Sequence, residues 1–226
     1  MLSRHCAMAF LLFMVVAPAV AQTPYNLKMA KIMPPSDLHQ SVLEQLSDNA
    51  LIIQNDKAEN ICTIWLRQGI PATANADQIK NGVTYREIPQ TTIVGALQLE
   101  QNWIDFRKQE IPKGNYTLRL GYQPMDGDHM DTSPHTEFCL LCPAVKDSTT
   151  ATIEVKAMRE LSASAHGSTH PAVMLLFPND KPADQPKLVD AGKGIWIVQA
   201  RLDIAATGGK TNLGFGFVIA GHSAAR

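Results

Sequence analysis

The densest set of potential ligands in the chain is DGDHMDTSPH, residues 126 to 135. Asp126, Asp128 and Asp131 could supply oxygens to a hard ion such as calcium, which takes several carboxylate and carbonyl ligands from a tight loop. The spacing departs from the EF-hand pattern, because no acid stands two positions after Asp128. His129 and His135 with an aspartate suit zinc or copper, and Met125 or Met130 suits cuprous ion. A second pair, His166 and His170, flanks Gly167-Ser168-Thr169. If the two loops meet, His129, His135, His166 and His170 form a zinc or copper site, provided their ring nitrogens lie within about 6 Å of one another. The competing expectation is a ligand-binding lip of Asp126, Asp128 and His129 with Trp103 as an exposed ring. A third is a plain turn in which aspartate and glycine serve the backbone.

Other chemistries leave weaker traces. No G-x-S-x-G turn is present, and Ser168 beside two histidines is adjacency rather than a triad, which is assembled in space. A glycosidase needs two carboxylates facing each other across a cleft. Glu87, Glu110, Asp126 and Asp128 are candidates, but nothing in the sequence selects a pair. Gly208-Gly209-Lys210-Thr211 ends like a phosphate loop, yet it lacks the upstream glycine and the following helix, so it reads as a hairpin turn. Trp65, Trp103 and Trp196 are either core residues or platforms on which a sugar ring stacks.

The elements that must position these residues are mostly strands. Alternating or β-branched runs at 26–33, 49–55, 60–67, 83–88, 91–101, 114–123, 137–145, 150–158, 171–178, 194–205 and 212–221 are strand candidates, punctuated by Gly and Pro. Residues 36–46 carry Leu38, Val42 and Leu46 at fourfold spacing behind Ser36, which predicts a short helix, and 156–166 is a second helix candidate. Residues 178–194 read as a long surface connection within one domain. About nine short strands with one or two short helices predict an all-β fold, an antiparallel β-sandwich, with a β-barrel as the alternative.

The chain begins with Arg4, an apolar run from Cys6 to Val16, and Ala19-Val20-Ala21, the plan of a Sec-type signal peptide over residues 1–21. The expected mature domain, 22–226, is soluble and outside the cytoplasm, with no membrane span after cleavage. The formal charge of −1 becomes −2 when Arg4 is lost, and lysines and arginines are scattered, so a nucleic-acid partner is not expected. Loss of Cys6 leaves Cys62, Cys139 and Cys142, an odd number. Cys139 and Cys142 lie in a strand candidate, where residues three apart face opposite ways at about 10 Å, too far for a disulfide. The expectation is buried structural thiols, with a cross-link from Cys62 to one of them left open.

The segments IWLRQGIP, DFRKQEIPKGNYTLRLGYQPMDGDHM and HPAVMLLF resemble a family of uncharacterised, signal-peptide-bearing bacterial proteins. The resemblance covers most of residues 60 to 178 and implies bacterial origin, export to the periplasm or beyond, and a β-rich domain. It implies no reaction. Together these features favour an exported non-catalytic β-sandwich that binds a small molecule, a glycan or a protein through loops at one end. A periplasmic zinc- or copper-binding protein is the second reading, and an exported hydrolase the third.

Overall fold

The computed structural model describes residues 23–124 and 133–223. The expected signal peptide, and Met125, Asp126, Asp128, His129, Met130 and Asp131, lie outside the described residues. The elements in chain order are β1 Tyr25–Lys31, α1 Gln40–Leu43, β2 Asn49–Asn55, β3 Asn60–Leu66, β4 Ile70–Ala72, α2 Ala76–Asn81, β5 Ile93–Leu99, β6 Trp103–Ile104 and β7 Glu110–Ile111. They continue with β8 Gly114–Tyr122, β9 Glu137–Pro143, α3 Val155–Ala163, β10 Val173–Pro178, β11 Lys187–Asp190, β12 Trp196–Ala206 and β13 Gly209–Ala220.

The fold is all-β. One hydrogen-bonded path runs β1-β2-β3-β5-β8-β9-β10-β13-β12-β11, every neighbour antiparallel, while β4 runs parallel to the end of β12 and β6 pairs with β7. The sheet curls, so that Tyr25 of β1 meets Trp196 of β12 edge to face at 5.6 Å between ring centres. Its concave side carries one core. Leu51, Ile53, Cys62, Ile64, Leu97, Tyr116, Leu118, Leu120, Cys139, Leu141, Val198, Leu202, Phe215 and Phe217 belong to it. These positions recur every second residue, as a pleated strand with one face on a core demands.

Mid-sheet strands are buried on both sides, which is why 93–99 and 139–142 read as nearly unbroken apolar runs. α1 brings Val42 onto Ala50, Trp65 and Ala96, and α3 brings Met158 near Leu140, Cys142 and Leu175. Cys139 therefore lies in the central core and Cys142 in the outer one, as alternation requires. Cys62, Cys139 and Cys142 are all buried free thiols, so Cys62 has no cross-link.

Four expectations are corrected. Residues 83–88 do not form a strand: Tyr85–Glu87 is a 3-10 turn, held by Thr84 and Glu87 as a reciprocal cap. Residues 150–158 alternate, but they run into α3, because the outer face of β9 and β10 needs covering and a helix presents Met158 and Ser162 to it. The connection 178–194 contains β11, and α1 is capped by His39 rather than Ser36.

Between the two outer patches lies a saturated polar cluster. Arg119 points outward from β8, fully buried, and its guanidinium meets Asp147 through Nε (2.8 Å) and Nη2 (2.7 Å). Nη1 donates to the carbonyls of Thr91 (2.6 Å) and Ala151 (3.1 Å), and Nη2 also to that of Thr149, so all five N–H donors are used. Thr117 donates to the same carboxylate. Thr91 holds the left-handed backbone region at φ 71°, which is strained for a threonine. Its hydroxyl offsets the strain by donating to the Ile153 carbonyl (3.0 Å) and accepting the Ile153 N–H (2.9 Å). The cluster straps segment 144–154 onto the sheet.

Candidate functional site

The ladder registers place Tyr122 opposite Glu137 and Pro178 opposite Phe215. One end of the sheet therefore gathers the connections 67–92, 123–136 and 179–186 and the β12–β13 turn. A cleft of about 590 Å³ opens there between the 3-10 turn, the start of β9, the segment after β10 and the start of β13. Thr84, Arg86, Glu137, Asn179, Asp180 and Asn212 give it polar walls. Gly214 is on its rim because the chain after β10 passes against it: a Cβ there would stand 2.0 Å from the Asn179 carbonyl.

Arg86 organises this end. Nη2 donates to Glu137 Oε1 (2.7 Å) and Thr136 Oγ1 (2.8 Å), and the guanidinium lies 4.4 Å from the centre of the Tyr122 ring. It thus grips both roots of the 123–136 connection, whose exit follows Tyr122 and whose return precedes Glu137. The turn carrying Arg86 is itself anchored: buried Tyr85 donates its hydroxyl to the Phe177 carbonyl (2.9 Å) and accepts the Gly216 N–H (3.3 Å). Burial pushes the Tyr85 phenol well above its ordinary range, and burial likewise pushes Tyr122 up to about 12, so both stay neutral hydrogen-bonding groups. Thr211 and Asn212 make no side-chain hydrogen bond with described residues, and their polar groups are left to the cleft and solvent.

Among the sequence candidates, His135 lies at this end, its ring packed edge to face on Phe177 at 4.4 Å between ring centres. Burial lowers its pKa, with Glu137 opposing. His166 and His170 lie at the other end. Val173 pairs with Leu140, and the three ladder steps from Glu137 to Leu140 alone span about 10 Å. His135 precedes Glu137 by two residues and His170 precedes Val173 by three, so the chain carries them further apart. The expected convergence of His135 with His166 and His170 does not occur. His166 Nε2 instead meets the His170 carbonyl at 3.0 Å, and Ser168 Oγ accepts the His170 N–H at 3.1 Å. Among the described residues, no group of three or more His, Cys, Asp or Glu could hold a metal ion.

Trp103, expected at an exposed lip, is 8% exposed and donates its indole N–H to the Ile219 carbonyl at 2.9 Å. It seats the β6–β7 hairpin against β13, at the end away from the cleft, and a buried indole whose N–H has found a partner is a packing residue. Trp65 does the same with the Ile32 carbonyl at 2.8 Å. The hydrolase candidates Glu87 and Glu110 are separated too: Glu87 caps Thr84, while Glu110 accepts from Asn102 at the opposite end. Arg86, Asn179 and Asn212 escaped sequence analysis. Their only signals were the Thr84–Glu87 spacing of a cap and the Pro/Asn/Asp content of 178–186.

Comparison of the chain with family models, with curated proteins and with solved structures gives no match. No helix among the described residues is long and apolar enough to cross a membrane.

Proposed function

We propose that the protein is exported and binds a polar ligand, a small molecule, glycan or peptide, in the cleft beside the roots of the 123–136 connection, without catalysis. The observation that carries this reading is the cleft itself: hydroxyl and amide side chains line it with Asp180, and Arg86, the one cation among its described lining residues, is paired with Glu137. A pocket of this size with a few fixed polar groups is the usual form of a small-ligand site. Export rests on the pattern of residues 1–21 and on the resemblance to exported bacterial proteins. Asp126, Asp128 and His129 of the expected lip lie outside the described residues, and the cleft proposed here uses Arg86 and Asn212 rather than Trp103.

Arrays of glycans and short peptides probed with the chain from residue 22, and with its Asn212→Trp and Thr211→Arg variants, test the reading. Binding by the unaltered chain that both variants lose supports it. Binding that both retain, or no binding by the unaltered chain, overturns it.

A further inference from the structure

Among the described residues the main strand path ends at β1 and β11, and these two edges face each other. β1 pairs only with β2 and β11 only with β12, and no backbone hydrogen bond joins β1 to β11 among the described residues. A groove of about 310 Å³ lies along this seam, lined from one side by Thr23, Tyr25, Asn26 and Leu27 and from the other by 186–188 and Trp196. An unpaired edge is a row of unsatisfied N–H and C=O groups, a template for another strand.

Alternation sorts the seam's side chains into two classes. Tyr25 and Leu27 of β1, with Leu188 of β11 and Trp196, pack toward the central core, so the inward side of the groove is apolar. Met29, on the same side of β1, is 49% exposed, because four-residue β11 is too short to cover it. The outward side carries Lys28 on one edge and Lys187 on the other, both exposed and neither in an ion pair among the described residues. The charge on that side is of one sign.

We propose that this seam receives an extended segment of another polypeptide, with alternating apolar side chains facing inward and carboxylates facing outward between Lys28 and Lys187. Backbone hydrogen bonds to the edge supply affinity, and the alternating pockets supply selectivity. The segment runs antiparallel to β1, the longer edge, and the seam parts at the Tyr25–Trp196 contact to admit it. This site is separate from the cleft.

The test uses the chain from residue 22 with two blocked decapeptides, one alternating glutamate and valine, the other lysine and valine. The glutamate peptide should slow hydrogen exchange at 25–31 and change tryptophan fluorescence, and Trp196→Phe should abolish the fluorescence change while leaving the exchange effect. Lys28→Glu with Lys187→Glu should shift the preference toward the lysine peptide by about tenfold or more. The proposal fails if neither peptide protects β1, or if charge reversal leaves the preference unchanged. It also fails if protection is confined to 84–86 and 211–214, which would bear on the cleft alone. Concentration-dependent protection of β1 without peptide would assign the edge to a second copy of this chain and overturn the proposal as well.

Discussion

Arg119 and Arg86 make the same bond, a guanidinium donating to a carboxylate at 2.7 Å, in two different settings. Arg119 and Asp147 have side chains 0% and 2% exposed, and every donor of the arginine is matched. Arg86 and Glu137 have side chains 53% and 16% exposed and stand at the rim of a cleft with other polar groups around them. The first arrangement has no capacity left for a ligand. The second can exchange one partner for another at little loss, since water already competes with each contact. A dense polar cluster is thus a poor sign of a binding site when it is complete, and a better one when it is open.

Breaking each pair separately is the sharpest way to test this contrast. Arg119→Met should destabilise the fold by about 3–5 kcal/mol in urea unfolding, because Asp147 is left buried and unpaired. Adding Asp147→Leu should recover part of that loss, and a double variant as unstable as the sum of both singles would show that the cluster's other bonds dominate. Thr91→Ala should cost about 1–3 kcal/mol through the two unmet Ile153 groups and the unrelieved backbone strain. Arg86→Ala should cost only about 0.5–1 kcal/mol, and high salt should narrow its difference from the unaltered chain while leaving that of Arg119→Met unchanged.

The smallest effects are in pH. At the open end, the folded pKa of His135 lies below its ordinary value near 6.5, so the unfolded chain protonates first as pH falls. Stability contributed by the neutral ring is complete above that value and declines below it. His135→Phe, which keeps the packing on Phe177, should be the less acid-sensitive protein in melting experiments at pH 7.5 and 5.5. At the end away from the cleft, burial raises the pKa of Asp105, whose carboxylate accepts from the backbone of Arg107, Gln109 and Val173. A raised acid favours the fold most below its unfolded value, and that advantage fades as pH rises through the folded value. The stability gap between the unaltered chain and Asp105→Asn should therefore shrink from pH 3 to pH 7.

Much of the fold was legible. β2, β3, β8, β10, β12 and β13 fall where alternation placed them, and the separation of Cys139 from Cys142 followed from strand geometry alone. Failures cluster where local pattern and tertiary demand diverge. Residues 83–88 and 150–158 alternate as strands do, yet one closes as a capped turn under the cleft and the other leads into α3, which covers an outer face. β11 was invisible because a four-residue edge strand between Pro186 and Gly192 has too little sequence to show a period. The site was less legible still. Trp103 looked exposed beside charged neighbours, but a backbone carbonyl 116 positions away takes its N–H.

The sequence by itself determined which residues alternate, and hence that the chain is built of strands with a buried side. It also determined that Cys139 and Cys142 could not meet. Only the tertiary structure decided which ends of the strands gather together, and so separated His135 from His166 and His170 while bringing Arg86 to Glu137. The reason is physical: periodicity is a property of neighbours along the chain, fixed by backbone geometry, whereas a cleft is made by side chains dozens of residues apart whose proximity depends on strand order and register.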